Sequence, residues 1–153
     1  MPTKDTWDHW VFRIRFNGNM NGESSTSYEG FSGGLSANRI TEAWKVSITG
    51  SASYRESSYD LGDEERYVSI SRDSSLNGLA VKSLSAHWSL GARGSFGSST
   101  YTNKKLYVTA APAIEYNLFP YSESTRRSLT FQYSIGVSAY QYSEETIYDK
   151  TSE

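Results

Sequence analysis

Residues 10–20 alternate apolar and polar side chains through eleven positions, and a period of two suits a β-strand whose two sides meet unlike surroundings. Trp10, Phe12, Ile14, Phe16 and Met20 fall on one side, and Arg13, Arg15, Asn17 and Asn19 on the other. Strands of soluble proteins run to about five or six residues, whereas a strand that crosses a bilayer needs roughly 9–11 tilted ones. The stretch has the second length. It predicts a strand of an outer-membrane-type barrel, apolar toward lipid and polar toward the lumen.

The same period returns along the chain. After a polar loop at 21–27, Phe31, Gly33, Leu35 and Ala37 alternate with Ser32, Gly34, Ser36 and Asn38. Beyond a short link at 39–43, Trp44, Val46, Ile48, Gly50, Ala52 and Tyr54 oppose Lys45, Ser47, Thr49, Ser51, Ser53 and Arg55. An acidic excursion at 56–66 leads to a fourth strand near 67–83. There Val68 and Ile70 share one parity and Leu79 and Val81 the other, so a bulge or break is expected near Asp73-Ser74-Ser75. A turn at 84–87 precedes a fifth strand with Trp88, Leu90, Ala92, Gly94 and Phe96 on its apolar side. A loop at 98–105 precedes a sixth, in which Pro112, unable to donate to a ladder, belongs at a bulge or an unpaired position. A turn at 119–125 leads to a seventh with Leu129, Phe131, Tyr133, Ile135, Val137 and Ala139 outward, and the charged 143–153 suggests a loop. The fold class is therefore all-β: an antiparallel up-and-down meander of about 7–8 long strands in a single domain, 1–153, forming a partial transmembrane β-barrel.

Short connections at 39–43, 84–87 and 119–125 alternate with longer polar ones at 21–27, 56–66 and 98–105. Periplasmic turns and extracellular loops of barrels differ in this way. Trp10, Trp44 and Trp88 stand at the short-turn ends, and Tyr54, Phe96 and Tyr140 at the long-loop ends. They predict two aromatic girdles and put the N-terminus on the periplasmic side. An odd strand count leaves two open edges, where unpaired backbone groups at membrane depth cost several kcal/mol each. The chain is thus expected to be a fragment, the N-terminal part of a larger barrel. Its missing strands would come from the same parent chain or a second copy.

Composition narrows the function classes. A formal charge of -2 offers nothing to a polyanion, which argues against nucleic acid. Mean hydropathy is -0.59, and no apolar run approaches the roughly 18 residues of a helical span. Aromatics at 14% with abundant Ser and Gly suit a barrel wall. Without cysteine there is neither a disulfide framework nor a thiolate metal site. Residues 1–6 lack the apolar core of a secretory signal, so a signal is expected upstream or already removed.

Five segments carry a family resemblance: Trp10-Val11-Phe12-Arg13, Ala37-Asn38-Arg39-Ile40-Thr41-Glu42-Ala43-Trp44-Lys45, Val81-Lys82-Ser83-Leu84, Pro112-Ala113-Ile114-Glu115-Tyr116-Asn117 and Phe119-Pro120-Tyr121-Ser122-Glu123-Ser124-Thr125-Arg126-Arg127. The chain resembles bacterial outer-membrane barrel proteins of unknown function, similar to the family labelled salt-induced outer membrane proteins. The resemblance implies a Gram-negative outer-membrane location and a barrel that continues beyond this chain. It implies no catalytic or ligand-binding residues.

The polar side of the strands collects Arg13, Arg15, Lys45, Arg55 and Arg93, with Glu115 as the clear acidic member. Rings of Arg or Lys set anion preference in pores, so passage of small anionic solutes is one reading. Charges that pair with Glu115 and with the missing strands, filling a narrow interior, is the other. Asp60, Asp63, Glu64 and Glu65 suggest an acidic loop, with divalent bridging to lipopolysaccharide as the functional variant. His9 and His87 each precede a Trp and have no spacing that points to a particular Ser, so they are expected at the interface rather than in a hydrolase. The expected function is a structural or porin-like barrel in contact with outer-membrane lipid, without cofactor, metal or catalysis. A soluble barrel binding a small apolar ligand, with the alternation inverted, is the alternative, and an outer-membrane lipid hydrolase the third.

Overall fold

The computed structural model describes residues 7–60, 62, 66–120, 123 and 126–153. The alternating stretches become β1 (Trp10–Gly22), β2 (Thr26–Ile40), β3 (Trp44–Asp60), β4 (Arg66–Ser83), β5 (Trp88–Ser99), β6 (Lys104–Asn117), β7 (Thr130–Ser134) and β8 (Val137–Tyr142). They form one antiparallel 8-stranded sheet in chain order from β1 to β7, with β8 also on β6. The sheet is not closed. β1 lies at one edge and β7 with β8 at the other.

β7 and β8 are two halves of one pass, since both keep the same register on β6: Ser134 lies opposite Ala113 and Val137 opposite Ala110. The break between them faces Pro112, whose carbonyl accepts the Ile135 N–H at 3.3 Å. The N–H that proline lacks would have pointed the same way, so the ladder is one bond short there. On its other side Pro112 sits in register opposite Ala92.

Three expectations need correction. β4 carries no bulge near Asp73, because its register with β3 runs unbroken from Trp44–Lys82 to Asp60–Arg66. Leu79 and Val81 therefore turn to the polar side, opposite Ser47 and Lys45. The alternation of short turns and long loops is not found either. Connections 23–25, 41–43, 61–65, 84–87 and 100–103 are all brief, and 118–129 is the longest. Ladder bonds are made by the backbone whatever the side chain's polarity, so the Ser-rich and Tyr-rich strand ends zip onward. Tyr59 pairs opposite Thr26, and the Asp60 N–H reaches the Ser25 carbonyl at 2.8 Å. Loop length thus gives no support to a periplasmic N-terminus. Finally, 143–153 is not simply loop: the Tyr140 N–H donates to the Glu153 carbonyl at 2.6 Å and the Tyr142 N–H to Thr151 at 2.9 Å. The last residues lie along the outer edge of β8.

Gly97 shows how closely the strands approach. A Cβ there would stand 2.2 Å from the Ser74 carbonyl and 2.8 Å from the Tyr107 hydroxyl, whose ring lies across the glycine. Gly97→Ala is expected to cost about 1–3 kcal/mol through overpacking. Urea titration in detergent micelles reads it, and an unchanged midpoint would show that the Ser74 backbone as well as the Tyr107 side chain gives way.

Candidate functional site

The register carries each polar side chain across the sheet. Arg13 lies opposite Ser36, then Thr49, Asn77, Ser95, Thr109 and Ser138 in successive strands. The next row, from Arg15, passes through Gly34, Ser51, Ser75, Gly97, Tyr107 and Tyr140. On the opposite face, Ile14 heads a row of Leu35, Gly50, Leu76, Phe96, Val108 and Ala139. One face is mainly polar and the other mainly apolar, Leu79 and Val81 being the chief apolar residues on the polar side.

From β4 to β6 exposure is inverted relative to a soluble sheet, while β1 is exposed on both faces. In β6, Tyr107, Thr109, Ala111, Ala113 and Glu115 are half-buried, whereas Val108, Ala110, Pro112 and Ile114 are exposed. In β4, Ser71, Asp73 and Ser75 are the more covered and Leu76 the less. No hydrophobic side chain is buried among the described residues, and Ile14 and Phe16 are 78% and 76% exposed. The cause is curvature. Arg15 of β1 and Tyr107 of β6 line one groove of about 360 Å³, although at about 4.8 Å per strand a flat sheet would hold them roughly 24 Å apart. The polar face is concave.

Arg13, Arg15, Lys45, Arg55, Arg93 and Glu115 all lie on this concave face by register. Among the described residues the five cations form no ion pair. Arg55 Nε donates to the Tyr28 hydroxyl at 3.0 Å, and Glu115 accepts from the Asn117 side-chain amide at 3.2 Å. Hydroxyls fill the spaces between, as where the Ser47 hydroxyl donates to Asn38 Oδ1 at 2.7 Å. Asp73, opposite Ser53 and Ser99, is a second acid on this face that sequence reasoning missed. A continuous parity count through β4 would have found it, along with Leu79 and Val81.

The apolar face has polar rims. Lys82 Nζ lies 5.5 Å from the Trp44 ring, and Trp88 packs on Tyr116 at 4.9 Å. At the opposite end the Arg72 guanidinium lies 5.7 Å from the Tyr54 ring, beyond which Glu29 pairs with Glu56. From Trp44 to Tyr54 the strand covers roughly 34 Å at about 3.4 Å per residue. Tilted by about 40°, that is roughly 26 Å of depth, against about 25 Å for a barrel's apolar band. Trp10, Trp44, Trp88, Tyr54 and Phe96 share the apolar face, but Tyr140 does not belong with them. It lies opposite Tyr107 on the polar face, 4.7 Å from Lys104 Nζ, because its even number puts it out of phase with Val137 and Ala139.

The imidazole of His87 is bonded through Nδ1 to the Asn117 carbonyl at 2.7 Å and stacks on Tyr116. His9 lies 3.6 Å from Asp8 with a left-handed φ of 66°. Of the acidic cluster, Asp60 accepts the Gly62 N–H at 3.1 Å; Asp63, Glu64 and Glu65 lie outside the described residues. Among the described residues no three His, Cys, Asp or Glu groups gather to hold a metal, and no helix is long and apolar enough to cross a membrane. Compared with known proteins, the chain matches no family model, no curated protein and no solved structure.

Proposed function

We propose that this chain is part of the wall of an outer-membrane β-barrel with a structural or pore-forming role and no chemistry of its own. The observation that carries the reading is the concave polar face set against a continuous exposed apolar face. Water satisfies the first and hydrocarbon the second. A ligand-binding soluble barrel would need the apolar side chains inside. The β1 edge and the β7 part of the other edge, beyond the stretch of β8 that residues 151–153 cover, call for partner strands, from the parent chain or a second copy, since unpaired N–H and C=O groups at membrane depth each cost several kcal/mol. The resemblance to the salt-induced outer membrane family is carried by its five segments alone. If the Tyr54 end of the sheet faces outward, its rim charges Glu29, Glu56 and Arg72 would meet lipopolysaccharide head groups.

Among the described residues, six cations without an ion pair, Lys104 included, stand against Asp73 and Glu115 and make the concave face favour anions. Reconstitution in planar bilayers is expected to give stepwise conductance with anion preference, and Arg13→Gln with Arg15→Gln to move that preference toward unity. Absence of steps from inserted protein would leave only the structural role.

A further inference from the structure

One stretch of the concave face departs from its Ser-rich surroundings, and we propose that it binds a small zwitterion of the aliphatic α-amino-acid class. The floor is the Gly91–Ala113 pair. Leu79 and Val81 form an apolar wall on one side, and they are apolar residues that the register turns into the groove. Lys45 stands opposite Val81, and Arg93 opposite Leu79. Glu115 stands on the far side of the floor. With Ser89, Gln132 and Ser134 at its margin, these side chains line a partly open pocket of about 250 Å³, somewhat under the roughly 300–1,000 Å³ of drug-sized sites. The occupant must be small.

Charge decides its chemistry. Arg93 pairs with Ala111, and Glu115 lies four residues beyond Ala111 on the same strand, roughly 14 Å along it. Both side chains line the same pocket, the Glu115 carboxylate lying on the Asn117 side of it, where it accepts from the Asn117 amide. Arg93 and Glu115 form no ion pair with each other, and the second Glu115 oxygen, which the Asn117 amide does not occupy, is left to a ligand together with the Arg93 guanidinium. A carboxylate matches Arg93 and Lys45, the guanidinium offering a forked pair of donors. Glu115 would repel a plain anion and instead accepts from an ammonium. Leu79 and Val81 offer contact to an aliphatic side chain and nothing to a polar one. A cation, a simple carboxylate and a fully polar zwitterion each leave one part of the site unused. The Gly91 position explains the room: a Cβ there would meet the Ala80 carbonyl and Val81 Cγ2, each at 3.1 Å.

The proposal rests on the concave face being the watered side, not on conduction. Calorimetric titration of the whole chain folded in detergent micelles tests it with L-leucine, 4-methylpentanoate, which lacks the amine, and 3-methylbutylamine, which lacks the carboxylate. Leucine is expected to bind about tenfold more tightly than either, the effect of one charge-assisted hydrogen bond. Glu115→Gln is expected to weaken leucine about tenfold while leaving 4-methylpentanoate unchanged or tighter. Arg93→Gln is expected to weaken both carboxylates and leave the amine unchanged. Equal binding of leucine and 4-methylpentanoate, or no heat with leucine from protein whose circular dichroism shows folded sheet, overturns the proposal. If a variant does not fold, the three ligands on the unaltered protein decide alone. Liposome insertion, measured separately, reads the membrane assignment, so the two can fail independently.

Discussion

Ile48→Arg is expected to weaken stable insertion of the sheet into a bilayer, whereas Thr49→Arg, one residue along, is expected to leave it intact. Ile48 lies mid-strand on the apolar face between Ala37 and Gly78. An arginine on the lipid side near the midplane costs about 2–4 kcal/mol, a large part of a typical stability of roughly 5–15 kcal/mol. Thr49 lies in the row headed by Arg13, where a further cation meets water. The fraction folded in liposomes, read by altered gel mobility of the unheated sample, measures both. Equal losses in the two variants would mean that the faces do not differ in what they touch.

The second large effect concerns the backbone. Ser47→Pro is expected to prevent assembly, because Ser47 is paired on both sides, opposite Asn38 and Leu79. Proline removes a ladder donor and strands a carbonyl, which in hydrocarbon costs several kcal/mol. Pro112→Ala should behave oppositely. The missing donor already faces the gap between β7 and β8, and restoring it completes one rung, worth about 1 kcal/mol. Urea midpoints in micelles distinguish the two, and a stable Ser47→Pro protein would contradict the paired position of that residue.

Much of this was legible in the sequence because a two-residue period states the face of every residue once one is known. The alternation at Trp10–Met20, Trp44–Arg55 and Trp88–Phe96 gave strands and faces together. Arg13, Arg15, Lys45, Arg55, Arg93 and Glu115 lie on one face for that reason. Hydrophobicity served less well where it was mixed. Leu79 and Val81 suggested a bulge because apolar residues were assumed to share a side, yet the backbone pairing was continuous. The strand ends were misjudged for a related reason: Ser, Tyr and Glu read as loop, although the ladder extends wherever two backbones can meet. The groove itself was not legible, since curvature arises from the summed twist of neighbouring strands rather than from any one residue.

Whether the apolar face meets lipid and the polar face water can be measured directly, because the chain has no cysteine. Single cysteines at Val46, Ser47, Ile48, Thr49, Gly50 and Ser51 would be treated in liposomes with a membrane-impermeant maleimide, and in parallel labelled with a fluorophore quenched by brominated lipid. A strict period of two is expected: positions 47, 49 and 51 react from water, while positions 46, 48 and 50 resist the maleimide and are quenched by lipid. The same period with the two sets exchanged, or uniform reactivity along β3, would contradict it.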